Sequence, residues 1–225
     1  MRAKEITESN VASGVVKILQ RKGYKLLGKG ADQVAFLEPK TGLILKIFGT
    51  SHSGEDTTEL TPAQKTFKAF SDYCIAHPNN PFLPQFSGWE KFVFDDFVYL
   101  QIRMERLFEF KENGDWAELL ESIAGSAEYG KDDRRKKDFI DGAIGADNGY
   151  DDEDDDEDDM ERAAKELFSH IGMDGFNTLW DTIYDLHKIA DSQGFNVDLH
   201  SGNFMLGSDG HIVISDPFFI GWGRG

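Results

Sequence analysis

Residues 24–48 constrain the fold most, because short apolar segments there alternate with turn-forming residues. The segment Tyr24-Lys-Leu-Leu-Gly28-Lys-Gly30-Ala-Asp-Gln33-Val-Ala-Phe36 predicts a strand, a glycine turn and a second strand. Pro39-Lys-Thr-Gly42 is a further turn signal, and residues 43–48 form a third short apolar strand. Strands joined by such short turns pair antiparallel with their neighbours. The N-terminal part of the chain is therefore predicted to contain an antiparallel sheet.

The remaining pattern predicts one helix within that sheet and mostly helices after it. Residues 10–22 suit a short amphipathic helix capped by Asn10, and Thr61-Pro62 begins a helix that ends near His77. Aromatic, strand-like residues run from 82 to 104, with a hairpin turn at Asp95-Asp96. Helical patterns follow from residue 115, and a hairpin is predicted for 204–215. The predicted fold is a single α+β domain over 1–225, with an N-lobe (1–104) and a mainly helical C-lobe (105–225).

Composition and charge restrict the classes of function. The chain has 225 residues, 40% of them hydrophobic, and its one cysteine is compatible with a reducing compartment. No signal-like segment and no apolar stretch of about eighteen residues is visible, which predicts a soluble cytoplasmic protein without a membrane partner. The net charge of −17 argues against nucleic-acid binding, because a negative protein is repelled by the phosphate backbone.

The charge is concentrated in one region. Residues 151–159 are nine consecutive carboxylates, and Arg134-Arg-Lys-Lys137 lies upstream, flanked by three aspartates. Such a block repels itself, so residues 129–159 are predicted to be a disordered charged insertion. An alternative reading is an electrostatic attraction for a basic protein partner.

The residues that indicate chemistry lie near the C-terminus. Asp198, Asn203 and Asp216 occur in the run Asp198-Leu-His-Ser-Gly-Asn203-Phe, followed by Ile-Ser-Asp216-Pro-Phe. An aspartate on a loop can orient an attacking hydroxyl, while an asparagine and a second aspartate can hold magnesium against nucleotide phosphates. The spacing predicts a base-and-metal site for phosphoryl transfer.

A phosphate-binding segment is predicted far upstream. Gly28 and Gly30 would let the backbone approach phosphates without a side-chain clash. Lys46 is a lone charge within the third strand, and burying a charge is costly without an anionic partner, which a pair of phosphates would supply.

From Tyr24 to Phe218 this layout resembles the protein-kinase-like superfamily, and most of all the serine/threonine protein kinases of T-odd bacteriophages. The resemblance implies ATP and Mg²⁺ as cofactors. It implies that Gly28, Lys29 and Gly30 cover the phosphates, and that Lys46 binds phosphates and takes part in catalysis. Glu105 would contact adenine, and His200 would contact the nucleotide. Asp198 would be the catalytic base, with Asn203 and Asp216 as metal ligands. A phage origin would place the protein in the host cytoplasm.

Several positions depart from the superfamily pattern. Gln33 stands at a usual glycine, His200 at a usual lysine, and Pro217 within the metal-binding triplet. The partner of Lys46 is left open: Asp72 is the nearest acid in the predicted helix before His77, and Gln64 or a residue elsewhere are alternatives. Because nine residues follow Asp216, the C-lobe is expected to lack the usual segment after the metal-binding aspartate. His200 has two readings, lining the phosphate site or bracing its loop.

Three functions remain open at this stage. The first is phosphoryl transfer from ATP to serine or threonine of proteins, with basic host proteins as possible substrates. The second is a small-molecule phosphotransferase for aminoglycoside-like or choline-like acceptors, which the Asp-x-His-x-x-Asn pattern also resembles. The third is a non-catalytic kinase-fold module that binds a basic partner through the acidic insertion. The oligomeric state is open.

Overall fold

The computed structural model describes residues 11–30, 33–49, 60–95, 97–109, 114–144 and 155–220, with the backbone alone at 114, 115, 117, 144 and 155–160. The chain is α+β, with an antiparallel sheet in its N-terminal part and helices later. It divides into two compact units, residues 1–79 with 83–107, and residues 80–82 with 108–225. A kinase-like fold and a single domain over 1–225 stay predictions.

The first unit is built on a five-stranded sheet. Its strands are β1 (Lys25–Lys29), β2 (Gln33–Leu37), β3 (Ile44–Gly49), β4 (Glu90–Phe94) and β5 (Phe97–Met104), in the spatial order β1-β2-β3-β5-β4. Every neighbouring pair is antiparallel, as the turn pattern predicts. The aromatic stretch predicted as strand from residue 82 becomes regular only at Glu90, although Phe86 forms an isolated bridge with Met104.

Two helices accompany this sheet. Helix α1 (Ser13–Arg21) begins after Ala12 without a side-chain cap, and the predicted cap Asn10 lies outside the described residues. Helix α2 (Pro62–Ala76) follows β3 along the chain and has a capping box, in which Thr61 and Gln64 satisfy each other's backbone N–H groups. Pro62 occupies the first turn, where its missing N–H costs nothing. The local start signal in the sequence is therefore confirmed.

Alternation along β3 gives the sheet two buried faces. Leu45 and Ile47 pack with Val34, Phe36 and residues of α1 on one face. Phe48 packs with Phe67 of α2, Leu100 and Ile102 on the other. Because successive strand side chains point to opposite faces, Lys46 shares the face of Phe48.

The second unit is mainly helical. It contains α3 (Gly114–Ala127), α4 (Asp133–Ile144) and α5 (Asp155–Gln193), the last interrupted at Gly172, whose φ of 66° is left-handed. Strands β6 (Phe108–Glu109), β8 (Phe204–Leu206) and β9 (Ile212–Ile214) form one small sheet. Strand β7 (Asn196–Val197) pairs with β10 (Phe218–Phe219) in another. The core comprises buried apolar residues of α3 and α5: Leu119, Leu120, Ile123, Leu167, Phe176, Leu179, Trp180, Ile183 and Leu186.

The charged insertion differs from its prediction. Residues 133–144 form α4, where the sequence predicted disorder, so that prediction does not hold there. Lys136 is buried with its Nζ 2.7 Å from Asp181 Oδ1 of α5, and Phe139 packs against Phe176 and Trp180. Asp181 neutralises the charge of Lys136, and the aromatic contacts of Phe139 pack α4 against α5. The backbone of α5 begins at Asp155, within the acidic run, whereas residues 145–154 lie outside the described part of the chain.

No helix among the described residues is both long enough and apolar enough to cross a membrane.

A carboxylate network ties the start of β1 to the β2–β3 turn and to β5. The Tyr24 hydroxyl donates to Glu38 Oε1 at 2.7 Å, Thr41 Oγ1 donates to Glu38 Oε2, and Arg103 Nε lies 3.8 Å from Oε2. The hydrogen bond from Thr41, and then the one from Tyr24, hold the pKa of Glu38 below its ordinary value.

We expect this depressed pKa to make the free energy of unfolding depend on pH. The contribution of Glu38 is present above the pKa of an unfolded glutamate, about 4.3, and is lost as the pH falls through the lower folded pKa. Between about pH 6 and about pH 3, the free energy of unfolding measured with urea should fall more in wild type than in Glu38→Gln. Glu128→Gln, at an exposed glutamate, should follow wild type; a parallel profile for Glu38→Gln would contradict the role.

Candidate functional site

The pairing of β7 with β10 brings Asp198 and Asp216 near each other. The chain leaves β7 at Val197, passes through Asp198 and a short loop into the β8–β9 hairpin, and returns through Asp216 to β10. Val197 lies opposite Phe218, and the Asp198 N–H donates to the Pro217 carbonyl at 2.8 Å. Two aspartates eighteen positions apart in the numbering therefore lie at the same end of one strand pair.

Asn203 is hydrogen-bonded both to Asp198 and to Ser215, the residue before Asp216. Its side-chain Nδ2 donates to the Asp198 carbonyl at 2.6 Å. Its own carbonyl accepts from the Ser215 N–H at 2.7 Å, directly before Asp216. Since the amide nitrogen faces Asp198, Oδ1 remains the atom of this side chain that can serve as a metal ligand.

Asp216 has an unusual backbone conformation and an exposed side chain. Its φ of 44° lies in the left-handed region, which residues other than glycine seldom occupy, although aspartate and asparagine tolerate it best. Pro217 follows and is buried. Such outliers concentrate at functional sites, where surrounding contacts hold them.

His200 braces the loop. Its Nδ1 accepts the Gly202 N–H at 3.0 Å, while Nε2 lies 3.8 Å from Asp198 Oδ1. A Cβ on residue 202 would come within 2.8 Å of the His200 ring, so the close approach of this ring requires glycine there. The observed contact matches the bracing reading, and a role of His200 toward a nucleotide stays a prediction.

The donor set of the loop and hairpin suits magnesium. Among the described residues, no three His, Cys, Asp or Glu side chains are grouped closely enough to form a protein-only metal site. Asp216 supplies one carboxylate and Asn203 one amide oxygen. Magnesium is commonly held by one or two carboxylates, with phosphates and water completing its shell, so these two residues fit that ion.

In the first unit, Lys46 lies at the middle of β3. It pairs with Ala35 of β2 and Ile102 of β5. Its Nζ lies 4.2 Å from the centroid of the Phe67 ring, a cation–π distance. Phe67 therefore helps to set the direction of the lysine side chain.

Two of the residues considered as partners of Lys46, Asp72 and Gln64, lie on α2 and have contacts there. Asp72 forms an ion pair with Lys68, one turn away on the same helix. Gln64 is buried and donates through Nε2 to the Gly49 carbonyl, so it fixes the end of β3. Both side chains thus have structural partners of their own.

Gly28, Lys29 and Gly30 lie at the end of β1. Gly28 pairs with Ala35, which in turn pairs with Lys46, so the glycine and the lysine occupy one row across three strands. A Cβ at Gly28 would have no described atom within 4 Å, so local packing gives no reason for glycine at this position. Gly30 donates to the Gln33 carbonyl at 2.9 Å across the turn, whose residues 31 and 32 lie outside the described residues.

Glu105 follows β5 and is bonded to Gln85 in both directions. The Glu105 N–H donates to the Gln85 carbonyl at 3.0 Å, and the Gln85 N–H donates to Glu105 Oε1 at 2.7 Å. These bonds engage the donor and one carboxylate oxygen of Glu105. Its predicted contact with adenine stays a prediction.

One participant was missed from the sequence. Glu121 of α3 accepts the Ser201 N–H through Oε1 at 2.6 Å, although the two residues are 80 positions apart. No local motif marks this glutamate, and Glu118 of the same helix is a second exposed glutamate.

We expect two variants at Asp216 to separate the effect of backbone strain on stability from the effect of losing the carboxylate. Glycine tolerates a positive φ and alanine does not, so Asp216→Gly should be more stable to urea unfolding than Asp216→Ala by about 1 kcal/mol. Asp191→Gly and Asp191→Ala, at an exposed helical position, should show the reverse order. Equal stability of the two Asp216 variants would contradict a strained backbone.

Comparison with known proteins does not place the chain in a family. No protein-family model matches it, and no curated protein matches it either.

Proposed function

We propose that the chain transfers the γ-phosphoryl group of ATP to a hydroxyl acceptor, with serine or threonine of proteins as the acceptor class. The observation that carries the proposal is the hydrogen bond from Asn203 Nδ2 to the Asp198 carbonyl. It joins a candidate base to a candidate metal ligand, while Ser215 joins that ligand to Asp216.

Each residue has a role that its chemistry allows. The Asp198 carboxylate accepts a hydrogen bond from the acceptor hydroxyl and takes its proton as the phosphoryl group moves. Asn203 Oδ1 and the Asp216 carboxylate would hold magnesium, and the ion would supply positive charge against the phosphates. Lys46, directed by the Phe67 ring, binds phosphate oxygens as a compact cation. Positioning and charge neutralisation supply most of the catalysis in such transfers.

The architecture of the first unit supports the same proposal. Helix α2 follows the third strand of the antiparallel sheet along the chain, and the lysine lies within that third strand. This is the arrangement implied by the resemblance to protein-kinase-like proteins. The row Gly28–Ala35–Lys46 across β1, β2 and β3 further supports a shared phosphate-binding role for the glycine turn and the lysine.

We expect magnesium-dependent ATP turnover to need both aspartates. Asp198→Ala and Asp216→Ala should each lower kcat by about a hundredfold or more, because a base and a metal ligand act in the transition state. Transfer from γ-labelled ATP, with and without EDTA, measures this effect. Asp191→Ala is the matched control and should retain wild-type turnover. Full activity of Asp216→Ala would remove the metal role, whereas absence of turnover in wild type itself would favour a non-catalytic module.

The acceptor class is tested separately. Cells that express wild type are compared with cells that express Asp198→Ala by phosphoproteomic mass spectrometry, and the purified protein is assayed with aminoglycosides and choline-like alcohols. New serine or threonine phosphosites that need Asp198 support the proposal. Transfer to a small alcohol without new phosphosites would instead establish a small-molecule phosphotransferase.

A further inference from the structure

The short turn between Asp198 and Asn203 is held from outside by one carboxylate. Residues 201–203 form a single 3-10 turn that begins after His200. The first N–H groups of a helical turn have no partner within it, and Ser201 is the first residue here. Glu121 Oε1 accepts this N–H at 2.6 Å.

The next two amides of the turn have partners within the loop itself. The Gly202 N–H donates to His200 Nδ1, and the Asn203 N–H donates to the His200 carbonyl at 2.9 Å. The bond from Ser201 to Glu121 differs because it reaches a separate helix. A charged acceptor also makes it stronger than a neutral hydrogen bond.

The helix that carries Glu121 is firmly packed. Leu119, Leu120 and Ile123, its neighbours along α3, are each at most 1% exposed. A tether from this helix therefore transmits the rigidity of the helical core to the loop. The tether adds to the loop's own hydrogen bonds and to the pairing of β7 with β10.

We propose that Glu121 is a positioning residue for phosphoryl transfer, holding the Ser201 amide so that Asp198 and Asn203 keep their mutual geometry. This inference rests on the proposed function. Glu121 acts through the loop backbone and takes no part in the chemistry itself. Misplacing reacting groups by about 1 Å costs up to a hundredfold in rate, so loss of the tether should lower kcat.

Variants on both sides of the bond test the proposal. Glu121→Ala removes the acceptor, and Glu121→Gln keeps a neutral acceptor oxygen. Ser201→Pro removes the donor without changing the backbone, because proline suits the first position of a helical turn. His200 has φ −89° and ψ 169°, the extended conformation that precedes proline. Glu118→Ala, at another exposed glutamate of α3, is the matched control.

The first readout is steady-state kinetics with magnesium and ATP. Glu121→Ala and Ser201→Pro should each lower kcat about tenfold or more with little change in the KM for ATP, and the double variant should be no slower than either single one. Glu121→Gln should recover most of the rate, and Glu118→Ala should match wild type. Additive losses, or an unchanged kcat in Glu121→Ala, would overturn the proposal.

The second readout does not depend on activity. Amide hydrogen exchange at Ser201, measured by NMR, should be at least about tenfold faster in Glu121→Ala than in wild type or Glu118→Ala. Equal exchange rates would overturn the tether even if turnover changes. A wild type that exchanges slowly at Ser201 but turns over no ATP would leave the tether in place and overturn the proposed function, so the two failures are distinguishable.

Discussion

The hydrogen bond between the Asn203 side chain and the Asp198 carbonyl is the contact on which the candidate site depends. It closes a loop of six residues, and the bond from Ser215 to the Asn203 carbonyl continues the connection to Asp216. Pairing of β7 with β10 brings the two aspartates near each other, but the asparagine sets their relation to the hairpin. Because the amide nitrogen of Asn203 makes this bond, Oδ1 is the atom of the side chain that could bind a magnesium ion.

Each unit contributes different residues to the proposed reaction. In the first, the sheet aligns Gly28, Ala35 and Lys46 in a row, and Phe67 of α2 contacts the lysine. In the second, α3 supplies Glu121 to the loop, and the small strands hold the carboxylates. In each unit, a polar side chain of the proposed site lies on a helix or strand that also carries buried apolar residues: Lys46 on β3 and Glu121 on α3. Rigid support of this kind is what phosphoryl transfer requires, because most of its catalysis comes from positioning.

Local signals allowed much of the fold to be predicted, whereas long-range contacts did not. The glycine and proline turns between residues 24 and 48 determine the first three strands, and Thr61-Pro62 marks the start of α2, because those signals act within a few residues. Helix α4 was not predicted, because the charge of Lys136 is neutralised by Asp181 on α5. No local sequence signal reveals that partner. The spacing of Asp198, Asn203 and Asp216 predicts a candidate site at these three residues. It gives no indication that Glu121, distant in sequence, bonds to their loop.

The central claim is that Asn203 and Asp216 hold a divalent ion together with a nucleotide. NMR spectra recorded with Mn²⁺ and a non-hydrolysable ATP analogue test it directly, since Mn²⁺ can replace Mg²⁺ at oxygen ligands and broadens signals of nearby atoms. The amides of residues 198–203 and 215–217, and the Asn203 side-chain amide, should broaden in wild type and remain sharp in Asp216→Ala. Broadening of those signals that is identical in both proteins, or broadening confined to other acidic segments, would contradict the account.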